Sequence, residues 1–145
     1  MPKVFTGKVI IPGAKIDDYL EMLKKAEEER RPFVEKCDTI LDEFYDYLVN
    51  EKGLSKKTAN LHYFIISMFN EFLARQTDVW DYSEVTKGIA NTYFKQWYKR
   101  KVWGGPTTER IPVSIRKFFL FLKEKKGIHN KKVLGKALSK NLVIF

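Results

Sequence analysis

Along residues 33–52 the apolar positions Phe33, Cys37, Ile40, Leu41, Phe44, Tyr47 and Leu48 recur at i, i+3, i+4 and i+7. That is the period of a helix with one buried face. Gly53, directly after it, suits a helix C-cap. The same period returns at Leu61, Phe64, Ile65, Met68, Phe69, Phe72 and Leu73 and predicts a second helix, with Ser55 as its N-cap and its end near Arg75. Thr86 is placed to cap a third helix over residues 87–101, with Ile89, Tyr93, Phe94 and Trp97 on its apolar side. After the break at Gly104-Gly105-Pro106, Thr107 or Thr108 opens a fourth helix that buries Ile111, Ile115, Phe118, Phe119 and Leu122 and ends at Lys125-Lys126-Gly127. Pro112 falls early in this helix, where few backbone bonds are lost.

The two ends read differently. Residues 1–15, with proline on either side of Val9-Ile10-Ile11, predict an extended arm or short strand. Ile16, Tyr19, Leu20 and Leu23 stand at helical spacing before the charged run Glu27-Glu28-Glu29-Arg30-Arg31. They predict a short amphipathic helix that stops before Pro32. Residues 76–85 read as a polar loop carrying Trp80 and Tyr82, and a further short helix is expected around residues 133–138. The sum is an all-α chain: a bundle of four main helices over residues 33–128, an arm and short helix over 1–32, and a tail over 129–145.

Composition adds a partner. The chain has 145 residues, 44% of them hydrophobic, enough for one domain with a real core. The net charge is +9, unevenly placed: residues 1–51 hold 8 Lys and Arg against 12 Asp and Glu, residues 52–145 hold 19 against 6. A basic back behind an acidic front points to a polyanionic partner on one side. The acids Glu35, Asp38, Asp42, Glu43 and Asp46 lie mostly off the apolar stripe of their helix, so that face is expected to turn to water and away from nucleic acid. The single cysteine, Cys37, excludes an intramolecular disulfide and a cysteine metal cluster, fits a reducing, cytoplasmic setting, and falls at a core position. Every apolar run is far shorter than the roughly 20 residues of a membrane span, so no membrane partner is expected.

Candidate chemistry is sparse. The chain holds no Walker-type loop and no Gly-x-Gly-x-x-Gly. His62 and His129 lack metal-ligand spacing, and His62 is expected near the edge of its helix. Carboxylate pairs such as Asp17-Asp18 and Asp42-Glu43 sit on solvated helix faces. No catalytic residue, metal, cofactor or small-molecule substrate is therefore expected. What remains is a polar stripe, Lys56, Asn60, Tyr63 and Ser67, flanked by Lys57 and opened by Ser55 and Thr58. A second one, Arg110, Ser114 and Lys117, follows Thr107 and Thr108. Basic and hydroxyl groups near helix N-termini suit phosphate contacts and orientation on DNA.

The stretch Leu41-x-x-Phe44-x-x-Tyr47-Leu48, then Gly53-Leu54-Ser55-x-x-Thr58-x-x-x-x-Tyr63 and Phe69-x-x-Phe72-Leu73, resembles the core-binding domain of tyrosine recombinases, the phage and bacterial integrases. So do Val85-Thr86, Tyr93 and the later Ile115-Arg116-x-Phe118-Phe119-x-Phe121-Leu122 with Gly127. The resemblance implies a SAM-like bundle of four helices that binds double-stranded DNA as half of a clamp and positions a recombinase on its site. It implies contacts from Ser55, Lys56, Lys57, Thr58, Asn60, Tyr63, Arg110, Ser114 and Lys117, and partners in a recombinase catalytic domain or other protomers. The family's catalytic arginines, His-x-x-Arg motif and nucleophilic tyrosine belong after residue 128, and neither histidine here has Arg at the third following position. Strand cleavage by this chain alone is not expected. Two other readings stay open. One is a helical protein-interaction module, docked through the arm, the acidic first helix or an apolar patch at Val9-Ile10-Ile11 or Trp103. The other is RNA binding through Tyr98, Trp103 and Trp80.

Overall fold

The computed structural model describes residues 2–6 and 10–135. Helix α1 spans Ile16–Asp46 and closes in a π turn, Tyr47–Glu51. Helix α2 spans Lys56–Gln76. A π turn, Ile89–Tyr93, leads into α3, Phe94–Lys101; α4 spans Ile111–Lys126 and a one-turn α5 spans Lys131–Leu134. The fold is all-α, and the described residues form no strand beyond one isolated bridge.

Several helix ends follow their sequence signals. Ser55 Oγ accepts the Thr58 N–H at 3.2 Å, and Thr86 Oγ1 accepts the Ile89 N–H at 3.2 Å. The first helical segment stops at Gly53, whose φ of +66° lets the Leu54 N–H turn back to the Leu48 carbonyl at 3.0 Å. A side chain there would strain the backbone. Helix α4 ends at Gly127 in the same way. Its start differs from expectation: Thr107 makes no side-chain cap, and a 3-10 turn, Thr108–Arg110, feeds the helix instead. Pro112 then sits in the first turn, where its missing N–H has no partner to lose.

The core is dense in aromatic rings. Phe118 packs edge-on against Phe44 and Tyr82, both 5.1 Å away between ring centres, and Phe69 does the same against Phe94 at 5.1 Å. Cys37 is buried as expected, and burial pushes its thiol up to about 11. A thiol so far from its reactive ionised form is a packing residue.

Three expectations are corrected. First, the predicted short helix and its successor are one 31-residue helix that runs through Pro32. The missing N–H costs one backbone bond, on a segment exposed to water. Arg30 compensates from the preceding turn: its Nε and Nη2 donate to the Ala74 and Leu73 carbonyls at 3.1 and 3.0 Å, and its guanidinium stacks over Phe33 and Trp80. These contacts pin α1 across the end of α2, so tertiary structure overrides the local signal.

Second, residues 76–85 are not a polar surface loop. Thr77, Val79, Tyr82 and Val85 are buried, and the segment straps the core. Third, His62 is buried rather than at a helix edge. The arm does run extended over its first residues. Val4 pairs with Thr77, and the Phe5 N–H donates to the Gln76 carbonyl at 2.7 Å. Val9 of the predicted strand lies outside the described residues, as do residues 136–138 of the predicted tail helix, whose described part is the single turn Lys131–Leu134. The stripe Ile16, Leu20 and Leu23 lies on α1 as predicted but stays exposed.

Candidate nucleic-acid interface

Helices α2 and α4 meet at one buried polar contact. Nδ1 of His62 on α2 lies 2.7 Å from Oγ of Ser114 on α4, and both residues are buried. Both occupy core phases of their helices: His62 continues the run Ala59, Ile65, Ile66 and Phe69, and Ser114 falls between Ile111 and Phe118. The polar pair is tolerable inside because each group satisfies the other. It fixes how α2 sits on α4.

Charge gathers around this seam. Burial pushes the His62 imidazole down to about 4, helped by the positive charges of Lys117 and Arg110. Burial also lowers Lys117, helped by the charge of Lys52. Arg110 and Lys117 thus act on a histidine that is neutral at neutral pH, and Lys52, whose ammonium lies 5.4 Å from the centre of the Tyr47 ring, acts on Lys117. Arg110 is exposed and Lys117 half-buried. On α2, Lys56, Lys57 and Asn60 are exposed on the first two turns.

The remaining predicted site residues fall into two groups. Ser55 and Thr58 are exposed but hydrogen-bonded to each other: the Ser55 hydroxyl donates to Thr58 Oγ1 at 3.0 Å while accepting the Thr58 N–H. Their first task is to start α2. Ser114 is a correction. Its hydroxyl is fully enclosed and engaged by His62, so no DNA group reaches it without opening the core.

Tyr63 is half-buried at the border with α1. Its hydroxyl points at Asp42 of α1, 3.5 Å from Oδ1, and its ring packs edge-on to Tyr45 at 5.9 Å. Burial and the charge of Asp42 raise its phenol. The acidic face of α1, exposed to water at Asp38 and Asp42, thus borders α2's stripe. On the opposite shoulder of α2, Phe64 touches the turn between α3 and α4: a Cβ at Gly105 would lie 3.3 Å from the Phe64 ring. Lys57 shares that shoulder, two turns before Phe64. The exposed positions Lys56 and Asn60 lie between an acidic bank on the α1 side and a basic, aromatic bank on the side of the turn.

Two basic residues at the end of α4 are engaged by carboxylates. Lys125 pairs with Glu51 at 2.6 Å and Lys126 with Glu43 at 2.8 Å, tying the end of α4 to α1. Lys52, absent from the predicted set, joins the seam because the π turn carries it past the end of α1. No spacing rule on one helix reveals such a residue. Among the described residues no group of three or more His, Cys, Asp or Glu is arranged to hold a metal, and no helix is long and apolar enough to cross a membrane.

No curated protein and no solved structure matches the chain. The family described as phage integrase, N-terminal SAM-like domain, matches residues 41–126, which include both helices of the seam and the strap and turn between them. Over more than half of its length, then, this all-α bundle belongs to the N-terminal SAM-like domain family of phage integrases.

Proposed function

We propose that this domain binds double-stranded DNA as the core-binding domain of a tyrosine recombinase and positions the recombinase on its site. The observation that carries the reading is the His62–Ser114 contact, which joins α2, with Lys56, Lys57 and Asn60 exposed on its first turns, to α4, where Arg110 and Lys117 flank Ser114. Cations so placed displace counterions from phosphates, and Asn60 reaches toward base edges or sugar oxygens. The acidic bank of Asp38 and Asp42 repels phosphate and confines the duplex to the other side. In this reading the domain contributes placement, and strand cleavage belongs to a catalytic domain, which with other protomers completes the clamp. A reducing, cytoplasmic setting with the thiol of Cys37 unoxidised fits the same reading.

The test is a titration of a fluorescent random duplex at low and moderate salt, comparing the wild type with Lys56→Ala/Arg110→Ala. The double variant is expected to lose roughly ten-fold in affinity at low salt and to lower the salt slope by about 2, one for each phosphate contact. Equal affinity and slope in the two proteins would remove the seam from the interface.

A second reading, a helical protein-interaction module, rests on one observation: Ile16, Leu20, Met22 and Leu23 of α1 are all exposed. An uncovered apolar stripe of this kind suits a protein partner. A variant with these four residues changed to Ser keeps full duplex affinity under the DNA reading.

A further inference from the structure

The turn between α3 and α4 holds an indole in open solvent. Trp103 is 89% exposed, while the base of its turn is tightly fixed. The Val102 N–H closes on the Tyr98 carbonyl at 2.9 Å, and the Tyr98 hydroxyl donates to the Pro106 carbonyl at 2.7 Å. Gly104 takes a φ of +75°, and Gly105 packs so closely that a Cβ there would lie 2.8 Å from Val102 Cγ1. The turn is therefore built around glycine, and it rests on Phe64 of α2. A large apolar side chain is thus carried by a braced tip.

The electrostatic setting selects its partner. Residues 85–108 contain five Lys and Arg and no Asp or Glu, and Lys99, Arg100 and Lys101 are exposed at the end of α3, just before Trp103. Glu109 and Arg110, both exposed, follow the turn. An indole that closely follows three exposed cations suits a polyanion whose apolar faces are aromatic, which describes nucleic-acid bases. The tip rests on the same shoulder of α2 that carries Lys57 two turns earlier.

We infer that Trp103 is a base-stacking contact that enters the duplex at an opened or kinked step. The inference rests on the DNA reading and adds a structural preference to it. Wedging between paired bases requires unstacking them, which costs a few kcal/mol. A duplex already opened at one position spares that cost, so the domain binds it more tightly than a fully paired duplex of the same sequence.

The experiment compares a fully paired duplex with the same duplex carrying a single-base bulge, for the wild type, Trp103→Ala and Trp103→Phe. At 89% exposure the alanine variant should keep the wild-type Tm, which a thermal melt checks. The wild type is expected to prefer the bulged duplex by roughly ten-fold, within the range of base–aromatic stacking. Trp103→Ala should lose that preference with the salt slope on paired duplex unchanged, and Trp103→Phe should keep part of it. A wild type without preference, or an alanine variant that retains it, overturns the stacking role while steep salt dependence still upholds the DNA reading. Absence of binding to either duplex at low salt overturns both.

Discussion

Replacing Tyr82 with alanine is expected to destabilise the fold by about 3–5 kcal/mol, as much as removing a core phenylalanine. Tyr82 is fully buried, with its ring 5.1 Å from Phe118, 6.2 Å from Phe119 and 6.3 Å from Phe33. Its hydroxyl donates to Asn70 Oδ1 at 2.8 Å, and its carbonyl accepts Asn130 Nδ2 at 2.8 Å. The same Asn130 amide group also donates to the Val85 carbonyl, so the strap, α2 and the segment after α4 meet at this ring. Tyr82→Phe should lose only about 1–2 kcal/mol, the effect of a buried carbonyl left without its donor. Urea unfolding measures both. A loss below about 1 kcal/mol for the alanine variant would show that the strap is peripheral.

Acidification should weaken the fold through His62. The imidazole titrates near its ordinary 6.5 in the unfolded chain but is held down to about 4 in the folded one, by burial first and then by Lys117 and Arg110. As pH falls below 6.5 the unfolded state takes up the proton first, so the population shifts toward it. The stabilisation is complete above about pH 6.5 and is lost as pH drops through 4. At pH 4 the loss reaches about 3 kcal/mol, at 1.36 kcal/mol per unit of displacement. Carboxylates add their own acid sensitivity, so the measurement is a comparison with His62→Gln, which carries no proton to bind. Urea melts at pH 7 and pH 4 should show the wild type losing about 3 kcal/mol more than this variant. Equal losses would mean that His62 can be charged in place, and the seam would not be the closed contact described.

The helices of the bundle were legible because their signals are local. The apolar period located α2 and α4, and Ser55, Gly53, Thr86 and Gly127 marked their ends or those of their neighbours. What escaped depends on partners distant in the chain. Nothing near Pro32 announces that Arg30 reaches the carbonyls of Leu73 and Ala74. Tyr82 looked like a loop residue because the rings around it come from α1 and α4.

The site shows the same division. Lys56, Lys57, Asn60 and Arg110 lie exposed as the stripes suggested, because exposed faces follow from the period alone. Ser114 is a candidate contact by its chemistry, and His62 falls near a helix edge by its polarity, although their phase places both inside. A buried polar residue is credible only with a partner, and these two are 52 positions apart. Tyr63 and Asp42 needed the packing of α1 on α2 to become neighbours.

In the proposed complex, duplex DNA lies across the α2–α4 seam and the turn beside it, away from the exposed start of α1. Backbone amide shifts of the labelled 17.1 kDa protein, followed during titration with duplex DNA at low salt, test this residue by residue. Shifts are expected to cluster at Lys52, Lys56, Lys57, Asn60, Arg110, Lys117 and Trp103, with Asp17, Leu20 and Glu27 unmoved. Shifts gathered on residues 16–29, with the seam silent, would contradict this placement.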